Sequence, residues 1–390
     1  MNPIRTFRPC PVCGERDAEN LCSLDYERFI EHLPLHYDIV SCRVCGMVFN
    51  DTTASPDDFN RYYSDCSKYD NNNIVGASNI SPVERRRYGR MLELIQDSLT
   101  PEKSVIEIGC GYGGILPVLQ EKGIHNITGI DPSENSVRHL LNQGIHAEVG
   151  SFEKLSDIPP CDFLIMIGVL EHIYDPLRAL KNAMKLCREE TVILINVPSS
   201  IDYGEYIRTP FYHFDFEHIN HFSLPHMDNL LRLCGYSNRK YDYDAVRVRD
   251  VVNTTLTGTY GKTKVQEIIP DFSLSAQIKK YVDESRKNDF GKSIAALAAS
   301  GKKLFLWGCG AHLARLLKST PLSQCNIEAF IDNDPYKQTK KITGHRVLPS
   351  STLHECGDDS TVAICSPLYR TLMTEELTRS GFKGEIVYLC

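Results

Sequence analysis

A short apolar run, Ser104-Val-Ile-Glu-Ile108, closes on Gly109-Cys110-Gly111-Tyr112-Gly113 and leads directly into a helical stretch, Ile115 to Lys122. Glycines at a strand-to-helix turn admit positive φ and let the backbone approach a ligand closely, so this junction belongs to an open α/β sheet. The flanking pattern agrees. Ile127–Ile130 reads as a strand, Ser133–Gln143 as a helix with Ser133 as its N-cap, and His146–Val149, Phe163–Ile167 and Val192–Asn196 as further strands. Strands alternating with helices of this length predict a parallel, doubly wound sheet. A helical stretch from Pro82 to Leu99 precedes it. The pattern recurs in miniature near the C-terminus: Lys303–Trp307, Gly308-Cys309-Gly310-Ala311-His312, a helix from His312 to Lys318, then strands at Ile327–Ile331, Thr361–Ile364 and Glu385–Tyr388. At 390 residues the chain exceeds one ordinary core. The layout expected is an N-terminal cysteine module over 1–70, a first wound domain over 71–240, a connector over 241–300 with a helix from Leu274 to Ala299, and a second wound domain over 301–390. Ser64–Ser81, polar and Asn-rich, reads as a linker or mobile loop.

The residues around the first glycine turn narrow its ligand. A GxGxG turn alone could hold a dinucleotide. Here Glu107 lies in the strand just before the glycines, placed to receive a cationic amino group, which a dinucleotide lacks and the methionine part of S-adenosylmethionine carries. Asp131 ends the next strand, placed to accept hydrogen bonds from two ribose hydroxyls. The order resembles the class I methyltransferases. Carried over by that resemblance, Glu107, Gly109 and Gly111 match the first motif and Asp131 the second. Gly150-Ser151-Phe152 stands where many members have Gly-Asp-x, which puts Phe152 in the cofactor set with Ser151 replacing the adenine-contacting Asp. Gly168-Val169-Leu170-Glu171-His172 resembles the fourth motif.

Cys10-Pro-Val-Cys13 and Cys42-Arg-Val-Cys45 are two CxxC pairs 28 residues apart, each followed by glycine. Such knuckles point both thiolates at one ion, and two of them complete a four-sulfur tetrahedron suited to zinc. A site closed by four thiolates is structural rather than catalytic. Cys22 and Cys66 lack the spacing and read as ordinary thiols.

The sequence of modules resembles the zinc-containing sugar methyltransferases, which act on nucleotide-linked deoxysugars, often at carbon. That family shows Tyr-His-Glu-His before an aromatic-Phe-Ser stretch; here Asp215-Phe216-Glu217-His218 precedes Ile219-Asn220-His221-Phe222-Ser223. Glu217 and His218 are retained, Asp215 and Phe216 replace the Tyr and the first His, and the family's His-Gly-Gly-Ser segment has no counterpart around Tyr243–Asp250. The resemblance implies a nucleotide-activated or surface-polysaccharide sugar as acceptor, with the C-terminal domain helping to hold its nucleotide. Methyl transfer is an in-line displacement, so the enzyme aligns the acceptor and removes one proton. Histidine titrates near neutral pH and suits that task, and a neighbouring carboxylate can orient it. His218 is the first expected base with Glu217 as partner; His172 and His221 are second choices. Another small-molecule hydroxyl as acceptor, or a zinc-ribbon scaffold without catalysis, are the alternatives.

Composition sets the outer limits. The net charge is -7 with no long basic run, against an electrostatically driven nucleic-acid binder. No apolar stretch approaches the roughly 20 residues that span a bilayer, and the N-terminus has no apolar signal core, so a cytoplasmic protein with neither membrane nor nucleic acid as partner is expected. In a reducing compartment 15 Cys are metal ligands and buried thiols rather than disulfides.

Overall fold

The computed structural model describes residues 3–65, 80–153, 155, 158–206, 209–287 and 290–390. Cys66 and most of the Asn-rich stretch expected as a linker lie outside the described residues. Strands β1 (Pro3–Arg5), β2 (Asp17–Asp25), β3 (His36–Cys42) and β4 (Val48–Asp51) form an antiparallel meander, followed by helix α1 (Pro56–Asp65). Helix α2 (Pro82–Glu93) opens with a capping box, Ser81 accepting from the Glu84 N–H and Glu84 reaching back to the Ser81 N–H, with proline in the first turn.

The central sheet then builds through β5 (Val105–Ile108), α3 (Ile115–Glu121), β6 (Ile127–Asp131), α4 (Glu134–Asn142), β7 (His146–Val149), β8 (Cys161–Ile167), α5 (Pro176–Ala183) and β9 (Cys187–Pro198). After α6 (Tyr203–Tyr206), β10 (Asn220–His221) and α7 (Leu224–Leu233), a long hairpin of β11 (Tyr236–Val248) and β12 (Val251–Lys262) returns to the sheet. Its order is β11-β12-β9-β8-β5-β6-β7, with β12 antiparallel to β9 and the five strands from β9 to β7 parallel. The chain leaves β5 toward β6 and β7, then returns on the other side through β8. The switch point therefore lies between the C-terminal ends of β5 and β8, where open α/β sheets bind ligands. Helices cover both faces, so β5 is buried along its whole length and reads as an unbroken apolar run except for Glu107.

The stretch expected as connector over 241–300 is built differently. Most of the β11–β12 hairpin falls in it, and these strands complete the central sheet rather than link two domains. Polar residues alternate along the exposed face of the edge strand β11, which hides it from an apolar-run reading. The single helix expected over Leu274–Ala299 is two, α8 (Ser273–Lys287) and α9 (Gly291–Ser300).

The C-terminal unit holds β13 (Lys303–Trp307), α10 (Ala311–Ser319), β14 (Ile327–Ile331), α11 (Pro335–Gln338), β15 (Lys341–Ile342), β16 (His345–Leu348), β17 (Ser360–Ile364), α12 (Arg370–Ser380) and β18 (Glu385–Tyr388). Its sheet runs β15-β16-β14-β13-β17-β18, parallel except for β15. This is the second wound domain that the repeated pattern predicts.

One core joins all these parts. Tyr26, Tyr37, Phe59 and Tyr62 of the N-terminal module pack with Phe214, Phe216 and Ile219 of the central domain, with Leu274, Ile278 and Tyr281 of α8, and with Ala314 of α10. The N-terminal sheet takes its fifth strand from the central domain: β10 pairs with β4, Asn220 opposite Phe49 and His221 opposite Val48.

Candidate active site

At the switch point, Gly109 and Gly113 hold φ of 74° and 94°. A Cβ on Gly109 would come within 2.5 Å of Val169 Cγ2, so only glycine lets the loop after β8 close against the turn. Glu107 points from β5 beneath it. Its side chain is 3% exposed, and one carboxylate oxygen, Oε2, has no hydrogen-bond partner among the described residues. Burial, with the nearby Asp131 carboxylate as a lesser cause, pushes its carboxyl well above the usual range. Asp131 Oδ2 accepts the Gly111 N–H at 2.8 Å and Oδ1 the Ser133 N–H at 2.9 Å, which fixes the acid at the edge of the turn. Phe152 packs half-buried against the main core on the far side, and the Gly168 N–H donates to the Asn196 carbonyl at 2.9 Å. A buried carboxylate with an orphaned oxygen calls for a cation, and the glycine turn beside it leaves room for backbone approach. The amino group, ribose and adenine of S-adenosylmethionine fit this donor set.

Facing this turn is a polar cluster drawn from four segments. Glu171 and His172 follow the Gly168 turn, Asp215, Glu217 and His218 come from the loop before β10, Tyr62 and Tyr63 from α1, and Arg87 from α2. Glu171, His172 and His218 each bring a side-chain nitrogen or oxygen within 4.8 Å of the others. The His172 and His218 rings meet edge to face at 4.7 Å. His172 Nδ1 lies 2.9 Å from the Tyr63 hydroxyl and 3.1 Å from the Glu217 carbonyl, and Nε2 lies 3.9 Å from Glu171 Oε1. Asp215 Oδ1 accepts the backbone N–H groups of Glu217 and His218 at 2.9 and 2.7 Å, and its Oδ2 stands 4.0 Å from His218 Nδ1. Arg87 donates to Asn196 Oδ1 at 2.6 Å.

Two expectations change here. Glu217, expected as the partner of His218, accepts the Tyr62 hydroxyl instead, and the carboxylates placed beside His218 are Asp215 and Glu171. His221, a second choice as base, is a strut. It is fully buried, its Nε2 bonds Asn50 Oδ1 and its Nδ1 the Tyr203 hydroxyl, both at 2.9 Å, and burial lowers its pKa to about 3. A ring locked on both nitrogens inside a two-residue strand has no atom left for an acceptor proton. His172 and His218 are brought together.

The four knuckle cysteines also come together. Each sulfur lies within 4.8 Å of the others, with Cys10–Cys45 at 3.5 Å and Cys13–Cys42 at 3.4 Å. A tetrahedral zinc with sulfur at about 2.3 Å needs sulfurs about 3.8 Å apart, so the four-thiol set fits such an ion. The Gly14 and Gly46 N–H groups close the knuckles on the carbonyls of Cys10 and Cys42, both at 2.9 Å, with positive φ at each glycine. Gly46 also lies against the Asp271 backbone, where the strap after β12 crosses the knuckle.

Arg8, two residues before the first knuckle, is the main residue that sequence reasoning missed. Fully buried, its guanidinium donates to the carbonyls of Ile173, Tyr174 and Ile219 and to Asn220 Oδ1, tying the His172 loop to the His218 loop. Burial lowers its pKa to about 10, well short of neutrality at physiological pH. Tyr63 and Arg87 were missed as well. Each lies on a short polar helix whose spacing carries no hint of a partner so distant along the chain.

In the C-terminal domain the matching glycine turn carries the same kind of carboxylate bond, with a lysine beside it. Asp332 Oδ2 accepts the Cys309 N–H at 2.9 Å and pairs with Lys337 at 3.0 Å.

Residues 83–241 match the methyltransferase-domain family. No curated protein matches the chain. Among solved structures it is similar to magnesium protoporphyrin IX methyltransferase of Synechocystis PCC 6803, at 14% identity over 52% of this chain and 97% of that one, with a TM-score of 0.41. It is also similar to the 1,6-didemethyltoxoflavin-N1-methyltransferase of Burkholderia thailandensis, at 17% identity over 57% and 97%, TM-score 0.41. A third is an S-adenosylmethionine-dependent methyltransferase of Methanosarcina mazei, at 17% identity over 44% and 97%, TM-score 0.39.

Proposed function

With residues 83–241 as the methyltransferase domain of an S-adenosylmethionine-dependent enzyme, we propose that the chain methylates a nucleotide-activated or surface-polysaccharide sugar. His218 removes the acceptor proton. The observation that carries this reading is the makeup of the acceptor side: two tyrosines, two histidines, an arginine and three carboxylates converge opposite the donor turn. A polyhydroxylated acceptor can use such a surface. A flat apolar one matches it poorly.

S-adenosylmethionine supplies a methyl group on a sulfonium; the S–CH3 bond breaks with its electron pair passing to sulfur as the acceptor atom bonds to carbon. The protein's own part is alignment and proton removal. Glu107 holds the donor's amino group and Asp131 its ribose, with Gly109 and Gly111 giving close approach, and Phe152 and Gly168 lining the adenine end and the wall. His218 takes the proton while His172, fixed by Tyr63, orients the acceptor. Cys10, Cys13, Cys42 and Cys45 hold a structural zinc ion, and the C-terminal domain contacts the nucleotide part of the acceptor. Among the described residues no helix is long and apolar enough to cross a membrane, in keeping with a small-molecule acceptor met in the cytoplasm.

The test supplies donor carrying a labelled methyl group together with the host's small anionic metabolites and locates the label by mass spectrometry and NMR. Label on a sugar nucleotide, lost in His218→Ala, supports the reading, and the methyl shift separates carbon from oxygen products. Label on a different small-molecule hydroxyl keeps the enzyme class and discards the sugar.

A further inference from the structure

Glu171, one of the carboxylates of the acceptor side, is given no step of its own in the chemistry above, and it occupies the junction of the two halves of the site. It is 3% exposed, and its Oε2 has no hydrogen-bond partner among the described residues. A Cβ on Gly168 would sit 3.5 Å from its Oε1, so the carboxylate backs directly onto the glycine wall of the donor site. On the other side it meets His172 and His218. Its backbone is held rigidly, the Glu171 carbonyl accepting the N–H groups of Ile219 and Asn220 at 2.9 and 3.1 Å. The charged or titratable groups around it are His172 on its own loop, His218 and Asp215 on the loop before β10, Arg87 on α2 and Tyr203 on α6. No fixed cation among these is bonded to it.

We propose that Glu171 is the proton-linked counter-charge of the methyl donor: neutral in the free enzyme, ionised when the sulfonium enters beside it. A buried carboxylate with an empty acceptor oxygen is stable either as the acid or next to a positive charge. Burial sets its pKa to about 7, against the opposing pull of His218 and Arg87, so both forms are within reach near neutrality. A cation arriving at the Gly168 wall favours the carboxylate and lowers that pKa, so a proton leaves for solvent on binding. After transfer the product is an uncharged thioether, and Glu171 takes back the proton that His218 has removed from the acceptor. The cycle balances: each molecule that meets the donor with Glu171 in its acid form releases one proton, and the acceptor's proton returns Glu171 to that form.

This inference rests on the donor reading above. Its test needs no acceptor. Titration calorimetry of the full chain at about pH 7, in two buffers of different ionisation heat, counts the protons released when S-adenosylmethionine and S-adenosylhomocysteine bind. The two ligands carry the same amino group, ribose and adenine, so any proton linked to Glu107 cancels in the difference. The expected result is a larger release with S-adenosylmethionine, by the fraction of Glu171 that is in its acid form at that pH. The difference disappears in Glu171→Gln and returns in Glu171→Asp, which keeps the carboxyl and guards against a variant that fails to fold. Equal release by both ligands, or a difference that survives in Glu171→Gln, overturns the proposal and leaves the donor reading standing. Binding of neither ligand overturns the donor reading and this proposal together.

Discussion

Glu107 shows how a residue can be costly to the empty protein and necessary to the loaded one. Its carboxyl is held well above its ordinary pKa by burial. An acid whose folded pKa is raised binds protons more tightly when folded, so it favours the fold at low pH. That advantage is lost as pH rises from the ordinary carboxylate range through the raised value. At neutral pH the unliganded protein therefore carries a penalty at this position. Glu107→Gln is expected to raise the melting temperature of the ligand-free protein, by more at pH 8 than at pH 6, while weakening donor binding at least about tenfold. Melting scans at the two pH values with calorimetric donor titration check both halves. A lower melting temperature in the variant at pH 8 would contradict the assigned penalty. The meeting of Glu107, Gly109, Gly111 and Asp131 at one turn was legible because it depends on local spacing. The roles of Glu171 and Arg8 were not, because each is defined by partners far away in sequence. For Arg8 these are Ile173, Tyr174, Ile219 and Asn220, which nothing near Cys10 announces.

Among elements, α1 is the most consequential that sequence periodicity undervalues. Its buried Phe59 and Tyr62 anchor it in the shared aromatic core, and that leaves Tyr63 to reach His172 at 2.9 Å. Tyr63→Phe keeps the ring and removes only this hydroxyl. It is expected to slow methyl transfer by about tenfold or more while leaving S-adenosylhomocysteine affinity within about twofold, because the donor turn stands on other elements. A parallel fall in donor affinity would show that α1 supports the whole site rather than its acceptor side. The strands read correctly from sequence, β5 to β9 with β13, β14, β17 and β18, mostly carry apolar runs; β15 and β16, short and polar, were not read. Where the reading erred, β11 sits at the sheet edge with a largely polar sequence, and the inner strand β12 is rich in threonine rather than in apolar residues. A strand of two residues such as β10 has no period at all, so its pairing with β4 could come only from the three-dimensional structure.

At the scale of the whole molecule, the cysteine site and the acceptor loops are one mechanical unit. The ordering runs from the knuckles through Arg8 to the His172 loop and through β4 to β10. A structural zinc contributes its binding free energy to folding, so chelation is expected to lower the melting temperature by about 10 °C or more. It should also abolish methyl transfer at temperatures where donor binding persists, since Asp131 is fixed by the Gly111 and Ser133 N–H groups of its own turn. Metal analysis of the purified chain should give one zinc per molecule, lost in Cys10→Ser. Loss of donor binding in step with activity on chelation would argue against this separation. The cysteine pairs were plain in the sequence. Their reach into the site was not, because it passes through a shared sheet rather than through any motif.

The two-residue strand β10 carries a consequence for how such a chain can change. His218 and Glu217 stand just before β10, an edge strand of the N-terminal sheet, whereas the donor turn hangs from β5 and β6. Substitutions in β4 or α1 can thus shift the acceptor side while the donor turn keeps its own strands. The two halves of the reaction answer to different parts of the gene, and the range of acceptors can drift while the donor stays fixed.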